Sequence, residues 1–150
     1  MATFISHSPA ETESLGEEWG RAAQTGWIIG LSGDLGAGKT QLVKGLARGL
    51  SVAERVHSPT FALVHEYPGG RLPLFHLDLY RLETREQIMG AGLDHYLFQP
   101  CGVAVVEWIE RWRILDLKFS SSNSGERFRS VKIEVMNETD RRIIYEDFGG

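Results

Sequence analysis

Apolar residues follow three different spacings along this chain. Trp27–Leu31 and Val103–Val106 are short apolar runs, which are typical of strands buried on both faces of a sheet. Between Lys39 and Leu50 the apolar residues recur every three or four positions, which predicts a helix with one buried side. From Val131 to Val135 they alternate with charged residues, which predicts a strand with one solvated face.

Polar residues and turns mark where further elements begin. Ser8–Glu11 has the spacing of a capping box with proline at the first helical position, and it predicts a helix that runs to about Ala23. Thr84–Gln87 is a second capping box and opens another helix. Phe61–Tyr67 and Leu72–Leu79 are predicted strands, because a Pro-Gly-Gly turn joins two segments rich in apolar residues.

The last third of the chain is harder to assign. Leu115–Phe119 is predicted to pair with Val131–Val135 across the loop Ser120–Gly125, and Asp140–Gly150 is ambiguous and expected to fray. Taken together, buried strands interleaved with helices indicate an α/β sandwich with a mixed, mostly parallel central sheet. The two hairpins are what make the predicted sheet mixed.

Length, charge and cysteine content narrow the functional classes. With 150 residues, one domain covering 1–150 is expected. The net charge of −4 argues against a protein that holds nucleic acid unaided, since such proteins usually carry a basic face. No apolar run reaches 18 residues and Met1–Ser8 does not resemble a leader, so we expect neither a membrane span nor a signal peptide. With Cys101 as the lone cysteine, these features favour a cytoplasmic protein.

The strongest motif joins the first buried strand to the following helix. It fits the phosphate-loop pattern G-x-x-x-x-G-K-[ST] and reads Gly33-Asp34-Leu35-Gly36-Ala37-Gly38-Lys39-Thr40. The glycines let backbone N–H groups turn towards a triphosphate, and the helix N-terminus adds its dipole. Lys39 is expected to bind the β- and γ-phosphates, and the Thr40 hydroxyl to ligate Mg²⁺. No guanine-reading N-K-x-D segment is present, so the predicted nucleotide is ATP.

Hydrolysis of a bound triphosphate also needs carboxylates. Glu107 ends a buried strand, and ligands of open α/β sheets bind at such strand ends, so Glu107 is predicted to hold Mg²⁺ or to activate water. Asp78 lies in an apolar strand, where a carboxylate is costly unless paired. It either serves the site or forms an ion pair with Arg81 or Arg85. Thr60 follows the phosphate-loop helix, where switch loops offer a hydroxyl; a turn or cap role is the alternative.

Four segments in this order resemble the TsaE family. They are the phosphate loop, Ser58-Pro59-Thr60-Phe61, His76-Leu77-Asp78-Leu79-Tyr80-Arg81-Leu82 and Val106-Glu107-Trp108. The resemblance runs from about Thr3 to Trp108. It implies a P-loop ATPase that acts with the partner proteins TsaB and TsaD in the threonylcarbamoyladenosine modification of tRNA. Hydrolysis is expected to be weak alone and stimulated in the complex.

The resemblance also implies a role for each residue of the phosphate site. Thr40 and Glu107 would hold Mg²⁺, Lys39 and the amides of Gly36–Gln41 would hold the phosphates, and Asp78 would be needed for hydrolysis.

Further residues are implied around that site. Thr60 would belong to a switch-like loop, and Trp108 would lie beside the nucleotide. A basic residue of the last hairpin would also reach the nucleotide, and the candidates are Arg127 or Arg129. The choice between them is open, because the last third of the chain departs from the family pattern.

Two other functions use the same phosphate loop. A small-molecule kinase would place Asp78 and Arg81 beside an acceptor hydroxyl, but it would also need a lid that carries arginine, and Ser120–Gly125 is short and uncharged. A nucleotide sensor would bind ATP without hydrolysing it. Turnover that disappears in Glu107→Ala would exclude the sensor.

Overall fold

A computed structural model describes residues 2–33, 37–57, 62–98, 100–109 and 127–149. Within these ranges seven strands form one sheet, and in chain order they are β1 (Ala2–Ser6), β2 (Trp27–Gly33), β3 (Val64–Tyr67), β4 (Leu74–Asp78), β5 (Val103–Glu107), β6 (Arg127–Val135) and β7 (Arg141–Gly149). The same ranges contain four helices, namely α1 (Pro9–Ala22), α2 (Lys39–Gly49), α3 (Arg85–Gly90) and α4 (Asp94–Leu97). Among the described helices, none has the length and apolar content needed to cross a bilayer.

The sheet is mixed, with its parallel pairings in the middle. Its strand order is β1-β7-β6-β2-β5-β4-β3. β6 with β2, β2 with β5, and β5 with β4 are parallel, whereas the three outer pairings are antiparallel. The predicted α/β fold with a mixed sheet is therefore confirmed, and its parallel part is limited to the four central strands.

Both predicted capping boxes begin helices. The Ser8 side chain accepts a hydrogen bond from the backbone N–H of Glu11 at 3.1 Å at the start of α1. The Thr84 hydroxyl accepts one from the N–H of Gln87, also at 3.1 Å, at the start of α3. Local side-chain chemistry therefore decides where these two helices begin.

The final hairpin differs from the prediction. Arg141–Gly149, within the segment expected to fray, forms β7 and pairs with the whole of β6. β6 also pairs with β2 over Arg127–Ile133, so both edges of that stretch are occupied. Leu115–Phe119, which is predicted to pair with Val131–Val135, lies outside the described residues.

Alternate residues of the central strands feed two separate apolar cores. Ile29, Leu31 and Val105 face one side of the sheet and pack with buried residues of α1 and α2. Ile28 and Val106 face the other side and pack with buried residues of α3 and α4. The period-two pattern of a strand thus becomes a layered α/β/α arrangement.

Glycines bring α1 and α2 into backbone contact. A Cβ atom added at Gly45 would lie 1.9 Å from the backbone oxygen of Glu13, and one at Gly16 would lie 2.3 Å from that of Leu42. Residues with side chains cannot approach so closely. This contact packs α1 against α2, and the first turns of both helices line the cavity described next.

Candidate functional site

Three parallel strands end at the same edge of the sheet. Asp78, the last residue of β4, is paired with Glu107, the last residue of β5. Glu107 is in turn paired with Leu31, two residues before the end of β2. The helix α2 begins at Lys39, just beyond that end. In open α/β sheets, ligands bind at this edge.

The phosphate loop, Gly33–Thr40, needs glycine at both of its described glycine positions. Gly33 has φ +141°, and a Cβ atom there would lie 2.5 Å from the backbone oxygen of Ile133. Gly38 has φ +103° and is the N-cap of α2. Residues with side chains rarely adopt such φ values. Gly36 lies outside the described residues.

The Lys39 ammonium lies inside the site rather than in solvent. The residue is only 5% exposed, and its Nζ donates a hydrogen bond to the Gly33 carbonyl oxygen at 2.8 Å. The same Nζ lies 4.6 Å from the centroid of the Trp108 ring, which is within cation–π range. An ammonium has three donors, and the Gly33 bond occupies one of them. Lys39 is therefore held where it can also donate to an anion at the N-terminus of α2.

Trp108 has an unusual backbone that aims its ring at this edge. Its φ is +61°, although it carries a large side chain, and its N–H donates to the Leu31 carbonyl at 3.1 Å. Its ring packs against Tyr80, with 5.0 Å between centroids. Left-handed backbone at a bulky residue is strained, and such residues cluster at active sites and ligand clamps.

The two carboxylates are almost fully buried. Asp78 is 4% exposed, and its Oδ1 accepts a hydrogen bond from the Tyr80 N–H at 2.9 Å. Glu107 is 5% exposed, and its Oε2 lies 2.6 Å from Nε2 of His76. Both groups line the same cavity as Lys39, so the structure brings the predicted phosphate-binding and acidic residues together.

That cavity has a volume of about 610 Å³, in the range of small-molecule sites. Three groups of described residues line it. From the phosphate loop and α2 come Ala37, Gly38, Lys39, Thr40 and Gln41; from the strand ends come Asp78, Tyr80, Glu107 and Trp108; and from the far wall come His7, Ser8, Pro9, Thr12, Glu138, Thr139 and Arg141. The sequence motifs predicted most of the first two groups and none of the third.

The far wall is formed by the start of α1 and the β6–β7 turn. The two meet where Nδ1 of His7 lies 3.1 Å from Oδ1 of Asp140. A hydrogen bond from Asn137, followed by those from His7 and Thr139, lowers the pKa of Asp140 below its ordinary value. Arg141 donates to the carbonyl oxygens of Asn137 and Asp140. The turn is thus held in shape beside the cavity.

Of the two hairpin arginines proposed from the sequence, Arg129 is not among the described residues that line this cavity, and only the backbone of Arg127 is described. The backbone of Arg127 pairs with Trp27, at the start of β2 and therefore at the opposite edge of the sheet. Arg129 is bonded to Asp147 by two hydrogen bonds of 2.6 and 2.9 Å and lies 4.8–5.4 Å from the centroids of three aromatic rings. Among the described side chains, the hairpin arginine that lines the cavity is Arg141. Finding it required the β6–β7 register, for which the sequence carried no local signal.

Two oxygen-bearing side chains of the cavity suit Mg²⁺. Thr40 offers a hydroxyl and Glu107 a carboxylate, and both line the space next to Lys39. Among the described residues there is no cluster of three or more His, Cys, Asp or Glu that could hold a metal. Mg²⁺ does not need one, because it keeps several waters and takes one or two protein ligands together with substrate phosphates. Thr60 lies outside the described residues.

A family model and several curated proteins match this chain. The model for "Threonylcarbamoyl adenosine biosynthesis protein TsaE" matches residues 6–143. A relative from Treponema pallidum (strain Nichols) is 43% identical over 139 residues, which cover 93% of this chain and 96% of the relative. Relatives from Nostoc sp. (strain PCC 7120) and Bacillus subtilis (strain 168) are 48% and 45% identical over 67% of this chain. All three are named "tRNA threonylcarbamoyladenosine biosynthesis protein TsaE".

The matches differ in how much of each relative they cover. The Nostoc and B. subtilis alignments span 63% and 62% of those proteins' own lengths, which is less than two thirds. Among solved structures, the crystal structure of Bacillus subtilis YdiB superposes with a TM-score of 0.77 at 30% identity. That superposition covers 99% of this chain and 86% of YdiB.

Proposed function

The chain belongs to the TsaE family, and from this premise we propose that it is a Mg²⁺-dependent ATPase that supports threonylcarbamoyladenosine modification of tRNA in the cytoplasm. We further propose that it acts with the partner proteins TsaB and TsaD. One observation carries the catalytic part of this proposal. A single cavity is lined by the Lys39 ammonium, the Thr40 hydroxyl and two buried carboxylates, Asp78 and Glu107.

Each of these groups matches one need of triphosphate hydrolysis. Lys39 and the first N–H groups of α2 would donate to the phosphates, since the first N–H groups of a helix have no partners within it. Thr40 and Glu107 would hold Mg²⁺, which neutralises charge on the β- and γ-phosphates when it is bound.

The two carboxylates would meet the remaining requirement, which is to orient a water molecule for attack on the γ-phosphate. Glu107 and Asp78 end adjacent strands and line the same cavity, so either carboxylate would be able to orient this water and accept its proton. Asp78 is held by the Tyr80 N–H, which limits where its second oxygen can point. Arg141 and His7 of the far wall would be available to contact other parts of the nucleotide.

Nucleotide binding is tested first with Lys39→Ala. Loss of a charge-assisted contact of roughly 1.5–3 kcal/mol raises the Kd for ATP about 10- to 150-fold, measured by calorimetry. Lys44→Ala is the matched control, because Lys44 lies on the same helix and is not among the described residues that line the cavity. Equal ATP affinity in the two variants would refute the site.

Hydrolysis and partners need separate measurements. We expect slow release of inorganic phosphate from ATP by the protein alone and faster release when TsaB and TsaD are added. We expect no phosphate release by Glu107→Ala under either condition. Equal turnover with and without the partners would contradict the partnership.

The label of [γ-³²P]ATP on a metabolite, instead of in free phosphate, would establish the kinase alternative. Co-purification with and without ATP would identify which proteins associate with this chain and would show whether the nucleotide controls that association.

A further inference from the structure

We propose that His76 is a positioning residue that orients the Glu107 carboxylate for Mg²⁺. This inference rests on the proposed function, because Glu107 acts on Mg²⁺ only if the cavity binds the nucleotide. The observation behind it is the contact between His76 Nε2 and Glu107 Oε2, which at 2.6 Å is short for a nitrogen–oxygen pair.

His76 lies under the site, on the strand next to Glu107. It is the third residue of β4 and pairs with Val105 of β5, two residues before Glu107. Successive residues of a strand point to opposite faces, so His76 shares a face with Asp78, and that face is the one covered by α1 and α2. The imidazole is therefore directly below the carboxylates at the carboxyl edge of the sheet.

The burial of His76 is hard to explain by packing alone. Its side chain is 0% exposed, and the neighbouring inward positions, Leu74 and Val105, carry apolar residues. A buried polar ring is unfavourable unless it is hydrogen-bonded. Within the described residues, Nδ1 of this ring has no hydrogen-bond partner, so its polar contact is the one to Glu107. A leucine at this position would fill similar space without that penalty, which argues that the bond to Glu107 is what the imidazole supplies.

The contact constrains the carboxylate in one direction. An ionised carboxylate only accepts hydrogen bonds, so Nε2–H of His76 is the donor. With Oε2 held from below, Oε1 is the oxygen that remains for the cavity, which Glu107 lines. Partners that orient a metal ligand typically change metal affinity or activity 10- to 100-fold when they are removed.

The test compares His76→Leu with His76→Gln in the full chain. Leucine removes the donor, whereas the glutamine side-chain N–H₂ can replace Nε2–H. The readout is the Mg²⁺ enhancement, defined as the ratio of the ATP Kd in EDTA to the ATP Kd in Mg²⁺, measured by calorimetry. We expect His76→Leu to reduce this ratio about tenfold or more, to leave the Kd in EDTA unchanged and to lower kcat, and we expect His76→Gln to restore most of the ratio.

A double variant separates positioning from a general packing effect. If His76 acts through Glu107, His76→Leu has no further effect on the Mg²⁺ enhancement in a Glu107→Gln background. Urea unfolding of all variants shows whether the fold is retained. A wild-type ratio in His76→Leu, a parallel loss of affinity in EDTA, or additive losses in the double variant would each overturn the proposal. A wild-type protein that binds no ATP would refute the proposed function and this inference with it, whereas the three former results refute only the role of His76.

Discussion

The contact between α1 and α2 allows a sharp test of how the fold supports the site. Gly45→Ala adds one methyl group in the middle of α2. That methyl would lie 1.9 Å from the Glu13 oxygen, 2.8 Å from the Glu13 carbonyl carbon and 3.0 Å from its Cα. All three atoms are backbone, so no side-chain rotation relieves the contact. The two helices themselves must move apart.

The magnitude follows from the distance. Ordinary van der Waals contact begins at 3.4 Å, so the methyl is about 1.5 Å too close. Overpacking of a buried contact costs roughly 1–3 kcal/mol, and a backbone clash belongs at the upper end. The higher helix propensity of alanine returns about 1 kcal/mol. We therefore expect Gly45→Ala to lower the free energy of unfolding by about 2 kcal/mol.

The control is a glycine that meets nothing. Gly90 ends α3, and a Cβ atom there would have no heavy atom within 4 Å. Gly90→Ala should be neutral or stabilising by up to about 1 kcal/mol. Urea unfolding followed by circular dichroism measures both variants. Because the first turns of α1 and α2 both line the cavity, Gly45→Ala should also weaken ATP binding, whereas Gly90→Ala should not.

One result would refute this reasoning. If Gly45→Ala unfolds at the same urea concentration as Gly90→Ala, the two helices are not in the close contact described. Loss of stability with unchanged ATP affinity would uphold the contact but contradict its role in shaping the cavity.

Three further predictions concern single side chains. Asp78→Asn keeps an acceptor for the Tyr80 N–H but removes the charge, so ATP affinity should change by less than about threefold while turnover is lost; an equal loss of both would make Asp78 a binding group. Asn137→Ala should raise the pKa of Asp140 towards 3.8, as measured by NMR titration of its carboxyl carbon. Because that pKa is lowered in the folded state, the ionised Asp140 carboxylate stabilises the fold above pH 3.8, and this stabilisation is lost as the pH falls through the lowered pKa. Asn137→Ala should therefore lose part of this stabilisation above pH 3.8. Arg129→Lys removes the pair of hydrogen bonds to Asp147 and should lower the free energy of unfolding, measured with urea, by about 1–2 kcal/mol. ATP affinity should be unchanged, because Arg129 is not among the described residues that line the cavity.

Much of the fold can be predicted from the sequence, because the elements concerned are determined by interactions between residues close together in the chain. A capping box acts over four residues, and Ser8 and Thr84 begin helices where the pattern predicts. The phosphate loop is also local, because glycine conformations and the start of α2 depend on adjacent residues. The placement of Glu107 needed one more assumption, that buried strands run parallel and end at one edge. The hydrophobic pattern does not predict the edge strand β1, because its five residues have mixed exposure and show no clear alternation.

The far wall of the cavity and the support under it depended on tertiary structure. Arg141 reaches the cavity because β7 pairs with β6 in one register, and that register is set by residues far apart in the chain. The contact between His76 and Glu107 joins residues 31 positions apart. The spacing of apolar and polar residues predicts whether one segment forms a helix or a strand. Contacts between elements depend on how those elements pack against each other. The motif residues could therefore be named in advance, and their partners only once the sheet was assembled.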